Sequence, residues 1–195
     1  MKVWMRQTVL AAILSGVFLM ALGPALIRRD PIKSVDAVVL LLGNESTRVP
    51  EAMALLREGW AKTLIIPAEG KVFSFSGKNG LVPENRYSID DLLRSLESQG
   101  GYEWYWENTH VELMLAREIM GRENVFSIAV VTSPYHTRRV GFILDKVFRD
   151  GRDPVVISSS FENTSGLLWL FEKQERRNVF LESIKNMWFF LYSIR

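Results

Sequence analysis

The chain has 195 residues, 48% of them hydrophobic, which is enough for one domain of ordinary size with a small appendage and too few for two separate cores. With 24 basic against 22 acidic residues and a net charge of +2, no long-range field marks nucleic acid as a partner, so any basic function must be local. There is no cysteine, which excludes disulfides, a thiolate metal site and a cysteine nucleophile, and which suits an oxidising compartment.

From Gln7 to Ile27 no charged residue occurs, and the stretch TVLAAILSGVFLMALGPALI has the ~20 apolar residues that a bilayer core requires of a helix. It predicts a membrane anchor over residues 1–29, followed by a globular domain over residues 30–195. A cleaved signal peptide is the alternative, but the small-x-small pair Ala21 and Gly23 places Pro24 directly after the cut. A buried core helix is a further alternative, weakened because no polar stripe interrupts the apolar surface. Lys2 and Arg6 precede the segment and Arg28, Arg29 and Lys33 follow it, so flanking charge gives no clean orientation.

After a linker broken by Pro31, AVVLLLG predicts a buried strand ending at Gly43, PEAMALLREG a helix terminated by Gly59, and TLIIPAEG a second strand. Residues 69–85 hold several glycines and serines and a proline without periodicity, and predict a surface loop. SIDDLLRSLES begins with a Ser88 to Asp91 capping pattern and predicts a helix. An aromatic cluster, Tyr102 to Trp106, then gives way to a helix starting near Thr109 and closed by Gly121; the cluster is either a ligand wall or core. VFSIAVVT predicts the next strand, YHTRRVGFILDKVF the next helix and PVVISS a last strand. Strands that alternate with helices and read as continuous apolar runs predict an α/β fold. The arrangement expected is a Rossmann-like doubly wound, mostly parallel sheet with helices on both faces. The terminal stretch NVFLESIKNMWFFLYSIR has helical apolar spacing. It either closes a face of the sheet or touches a bilayer through Trp188, Phe189, Phe190 and Tyr192, with Lys185 and Arg195 at headgroups.

In open α/β sheets ligands bind beyond the carboxyl ends of strands, and two polar segments fall there: GNESTR, Gly43 to Arg48, and TSPYHTRR, Thr132 to Arg139. Ser133 fits a helix N-cap with Pro134 at the first helical position. That points backbone amides and the positive end of a helix toward the crevice, the makings of an anion site. Arginines 138 and 139 are misplaced for that dipole, so one facing the crevice makes more sense as a ligand for phosphate or carboxylate.

The order VVLLLG with Arg48, then ENTHVE (Glu107 to Glu112), then VVTSPYHTRR (Val130 to Arg139) resembles the envelope-protein family that contains YdcF, SanA and ElyC. The resemblance covers roughly residues 36–159, and its most specific part is the hydroxyl pair, aromatic-His step and arginine of the last motif. Where the family has a glycine-rich turn after the second strand, this chain reads PAEG, Pro67 to Gly70, with one glycine. The resemblance implies a Rossmann-like domain tethered to the inner membrane and facing outside the cytoplasm, associated with envelope integrity and wall or polysaccharide precursor metabolism. It places ligand contacts on Gly43, Asn44, Arg48, Glu107, Asn108, Thr109, Thr132, Ser133, Tyr135 and Arg139.

Each candidate also has a plainer role. Glu112 is either a site acid or the partner of Thr109 in a capping box. His136 near a positive helix end should have a lowered pKa, favouring a neutral imidazole able to accept a proton, or else sits on the surface. Ser133 is expected to cap rather than attack, since no nucleophile elbow surrounds it. Arg48 and Arg139 are anion ligands or solvated charges, and His110 is expected on a helix surface. The two histidines have neither HxH nor HExxH spacing, so no transition-metal site is expected, although carboxylates could hold Mg²⁺ beside a phosphate. Two functions are therefore expected to compete. One is an enzyme acting on a phosphate-bearing, lipid-linked or nucleotide-sugar precursor by acid-base chemistry of His136 and Glu112. The other is a noncatalytic module that binds such a ligand. Nothing in the pattern names a cofactor or an oligomeric state.

Overall fold

A computed structural model describes residues 2–100, 103, 106–149 and 154–194. The chain runs α1 (Lys2–Ala25), β1 (Ala37–Leu40), α2 (Glu45–Arg57), β2 (Thr63–Ile66), β3 (Lys71–Ser76), β4 (Gly80–Arg86), α3 (Ile89–Ser98) and α4 (Asn108–Glu123). It continues through β5 (Ile128–Thr132), α5 (Thr137–Val147), β6 (Val155–Ser158) and α6 (Lys173–Ser193). The six strands form one sheet in the order β4-β3-β2-β1-β5-β6; β2, β1, β5 and β6 are parallel, and the β3–β4 hairpin adds to the β2 edge antiparallel.

β1 and β5 are buried at every position, and apolar at all but Thr132, because both faces of the central sheet are covered. Side chains alternate across a strand, so Ala37, Val39 and Leu41 pack with α3, α4, α5 and α6, whereas Val38 and Leu40 pack with α2. β1 and β5 lie side by side, with Val39 opposite Val130 and Leu40 opposite Val131. From β1 the chain departs toward the face covered by α2 and from β5 toward the face covered by α5, so a crevice opens where the two part.

Several expectations are corrected. Within residues 69–85, Glu69 and Gly70 end a short 3-10 turn and the rest belongs to the β3–β4 hairpin, not a surface loop: Val72 faces the core while Phe73 and Phe75 pack half-buried on the other side, and Gly77 and Gly80 serve the turn. α2 begins at Glu45, so Pro50 lies inside it. The carbonyl that Pro50 leaves unbonded belongs to Ser46, which is exposed to water. α4 ends on Asn124 in the left-handed conformation, past Gly121, with the Asn124 N–H bonded to the Met120 carbonyl. Ser88 does cap α3, accepting from the Asp91 N–H. α1 is no core helix. Residues Arg6–Ala25 have a mean hydropathy of 2.0 and the large apolar side chains from Val9 to Leu19 are exposed, so it is long and apolar enough to cross a membrane.

Candidate functional site

The crevice has a volume of about 920 Å³ and lies over the carboxyl ends of β1 and β5. Of the residues singled out in the sequence, Gly43, Asn44, Arg48, Glu107, Asn108, Thr109, Glu112, Ser133, Tyr135, His136 and Arg139 line it. Thr132 does not: it is fully buried within β5 beneath the wall. Three segments that are far apart in sequence thus meet because β1, the start of α4 and the start of α5 share one end of the sheet.

At the β1 side, Gly43 adopts φ +128°, and a Cβ there would meet the Arg48 guanidinium at 3.4 Å, so only glycine fits without strain. Arg48, 5% exposed, folds back from α2 over that turn. Its Nη1 donates to the carbonyls of Leu41 (2.9 Å) and Leu42 (2.5 Å) and its Nε to the Ser133 hydroxyl (3.1 Å). Among the described residues it makes no ion pair and its Nη2 has no hydrogen-bond partner. Burial lowers its pKa, and the charges of Glu162, Glu112, Glu45 and Glu182 offset this only in part. A guanidinium stays charged under such pressure, so a buried cation is held here by neutral carbonyls.

Arg139, 1% exposed, has the opposite surroundings. Its Nε and Nη2 grip the two oxygens of Glu182 at 2.8 and 3.1 Å, its Nη1 donates to Glu107, and its Nη2 also lies 3.0 Å from the Nε2 of His136. Burial pulls the guanidinium down, but the hydrogen bond and charge of Glu182 and those of Glu107 outweigh it and hold its pKa above the usual value. The bidentate geometry expected for an anion is thus occupied by a carboxylate from α6.

Glu112 does not close a capping box with Thr109. Its Oε1 accepts the Leu42 N–H at 3.1 Å, and burial pushes its pKa up to about 7, outweighing that bond and the attraction of Arg48. It is therefore poised to exchange a proton near neutrality. His136 is held below its ordinary value first by burial, then by Arg139, Arg48 and Lys185, and is neutral. Its Nε2 stands 3.3 Å from the Thr109 hydroxyl. Ser133 opens the short 3-10 turn Pro134–His136 with Pro134 at its start, but its hydroxyl caps nothing and instead accepts from Arg48.

Sequence reasoning missed Glu182 and Glu162. Glu162 accepts from the Asn44 side-chain amide at 2.9 Å and tethers the β1 turn. One signal for Glu182 existed: it shares the helical face of Val179, Asn186 and Phe189, an acid where a core residue belongs. His110 was expected on the surface and is buried instead, because it stacks on Trp106 (4.1 Å between ring centres) and its Nδ1 lies 3.2 Å from the Tyr192 hydroxyl. Burial, then Lys146, lowers its pKa to about 4. Trp106 therefore packs half-buried against the core, while Tyr102, Trp104 and Tyr105 lie outside the described residues, as does Arg195. Among the described residues no three His, Asp or Glu side chains are grouped to hold a metal ion.

No family model, no curated protein and no solved structure matches the chain.

Proposed function

We propose that this is a membrane-anchored envelope protein of the YdcF, SanA and ElyC kind, with a Rossmann-like doubly wound domain whose crevice binds a phosphate-bearing ligand. The observation that carries this reading is Arg48: a buried cation that forms no ion pair among the described residues, beside the open crevice, attracts an anion. Its Nη2 is the donor offered, and Asn44 and Asn108 also line the crevice. Arg139, Glu107 and Glu182 hold the floor in shape, and His136 and Glu112 supply acid-base capacity. Glu112, half protonated near pH 7, would give or take the proton, while neutral His136 accepts hydrogen bonds. The ligand class best suited is a lipid-linked or nucleotide-sugar phosphate of envelope synthesis, reached from a domain lying outside the cytoplasm.

A noncatalytic binding module is the second reading, favoured by the closed ion-pair network around Arg139, which makes a rigid cradle. The two are separated by incubating the full chain with a polyprenyl phosphate, a polyprenyl pyrophosphate and a nucleotide-sugar, and following product by chromatography. Turnover that is lost in Glu112→Gln while binding is kept establishes catalysis; binding without turnover establishes the module; binding of none of these overturns both.

A further inference from the structure

α6 carries apolar side chains on its outward as well as its inward face. Its inward face, Val179, Glu182, Asn186, Phe189 and Tyr192, includes an acid and an amide, whereas Phe180, Ile184, Met187 and Leu191, at spacings of four, three and four, stand exposed on the opposite side. A soluble helix is polar on its outward side, and an apolar stripe of this length in water would need a cover. α6 is too polar to span a bilayer, since Glu175, Arg176, Arg177, Glu182 and Lys185 interrupt it, and α1 alone among the described helices is apolar enough to do so. Exposed Lys173, Arg176 and Arg177 gather at the start of α6, which suits a helix lying flat at a headgroup boundary.

The cover is identified by what lies next to it. Just before α6 comes a 3-10 turn, Gly166–Phe171, whose Trp169 packs on α1. The Trp169 indole donates to the Met20 carbonyl at 2.9 Å, and a Cβ on Gly23 would come within 2.5 Å of the same ring, so the two elements touch as closely as glycine permits. Met20 and Gly23 belong to the last turns of the apolar span. The 3-10 turn is therefore fixed at the depth where that span ends, and its Leu168 and Phe171, 58% and 74% exposed, project beside it.

We propose that the 3-10 turn Gly166–Phe171 and the outward face of α6 are immersed in the lipid surface beside the anchor, so that the crevice opens onto the bilayer. Leu181, Ile184 and Trp188 of the same helix supply an apolar stretch of the crevice wall, whose lining also includes Arg48 and Glu112. A ligand entering from the membrane would keep its hydrocarbon portion against that wall and carry its phosphate to Arg48. The inference rests on α1 being a membrane anchor, and it narrows the ligand to an amphiphile.

The absence of cysteine makes a direct test clean. Single variants Leu14→Cys, Leu168→Cys, Phe171→Cys, Leu191→Cys and Phe126→Cys of the full chain are labelled with an NBD fluorophore in vesicles of phosphatidylcholine and phosphatidylglycerol. Phe126, 68% exposed at the opposite end of the sheet, is the aqueous reference, and Leu14 in α1 is the lipid reference. The expected result is quenching by doxyl-labelled lipid at 168, 171 and 191 several-fold stronger than at 126 and comparable with 14, with little quenching by iodide. Iodide quenching at 168, 171 and 191 equal to that at 126 overturns the proposal. Resistance to both quenchers does so too, and shows that protein, such as a second copy of the chain, covers the face. If Leu14 itself is quenched by iodide and not by lipid, the anchor reading fails and the inference falls with it.

Discussion

Two buried arginines stand at the ends of two adjacent strands, and they are held in opposite ways. Arg139, from α5, is enclosed by the carboxylates of Glu182 and Glu107; Arg48, from α2, is enclosed by the carbonyls of Leu41 and Leu42 and the Ser133 hydroxyl. The first pair of contacts cancels the charge and ties three elements together. The second satisfies donors without an ion pair among the described residues, leaving the charge only partly compensated by more distant carboxylates, which suits an anion site. Arg139 is on this account architecture and Arg48 is function, and the contrast can be broken by experiment.

The largest effect should come from Arg139→Met. Removing the guanidinium takes the ion-pair partner from Glu107 and leaves Glu182 only the half-exposed Lys185, so stability should fall by about 3–5 kcal/mol, the usual loss for a broken buried pair. Urea unfolding of the detergent-solubilised chain checks this, and adding Glu182→Met to the variant should restore most of the loss. A stability change below about 1 kcal/mol would show that the network contributes little, and the division of roles between the arginines would fail.

Glu112 provides the second test, through pH. Its folded pKa of about 7 lies above the ordinary carboxyl value, so below about pH 4.5 both states are protonated and there is no penalty. As pH rises toward 7 the unfolded chain releases its proton while the folded chain keeps it, and stability falls by an amount on the order of 3 kcal/mol before levelling off. Glu112→Gln should abolish that slope, leaving the variant more stable than the parent at pH 8 and unchanged at pH 4. His110 acts in nearly the same window with the opposite sign: with a folded pKa of about 4, it should cost stability as pH falls from about 6.5 toward 4, and His110→Phe should remove that cost, so the single variants separate two slopes that oppose each other in the parent. Thermal unfolding across pH 4 to 8 reads both slopes at once, and coincident profiles for parent and variants would contradict the burial assigned to each group.

The neighbourhood of the two arginines was legible because it is built from local signals. Continuous apolar runs marked β1 and β5, polar segments marked their carboxyl ends, and parallel α/β topology brought those ends together. What holds each arginine was not legible. Glu182 reaches Arg139 from 43 residues away and Glu162 reaches Asn44 from 118 residues away, separations over which no periodicity carries information. The hairpin at 71–86 was read as a loop because its glycines and Pro83 are dense while Phe73 and Phe75 are only half-buried, so turn chemistry outweighed the alternation. His110 was assigned to a surface because the pattern of α4 does not show the Trp106 and Tyr192 rings that enclose it.

Arg48→Ala should bind phosphate ligands 10- to 100-fold more weakly than the parent, the loss expected for a charge-assisted contact of about 1.5–3 kcal/mol. Arg48→Lys should recover only part of it, because an ammonium cannot bond two strand-end carbonyls, the Ser133 hydroxyl and a ligand at once. Calorimetric titration with inorganic phosphate and with a polyprenyl phosphate measures this. Affinity that is equal in the parent and Arg48→Ala, but reduced by Arg139→Lys, would reverse the assignment of the two residues.

The smallest effect is the most discriminating. Ser133 stands where a helix cap would, and a capping serine replaced by alanine costs about 1 kcal/mol of stability while leaving ligand binding untouched. In this structure the hydroxyl makes no capping bond and accepts from the Nε of Arg48 instead, fixing the plane of the guanidinium and so the direction of its open Nη2. Ser133→Ala should therefore leave stability within about 0.5 kcal/mol, the range of an ordinary substitution that breaks no buried network. It should weaken phosphate binding by a few-fold, through a guanidinium freer to turn toward the Leu41 and Leu42 carbonyls it already contacts. Combining Ser133→Ala with Arg48→Ala should add nothing to the binding loss of Arg48→Ala alone, because the serine acts only through that arginine. A variant that loses stability and keeps its affinity would make Ser133 a cap after all and leave Arg48 oriented by its carbonyls alone.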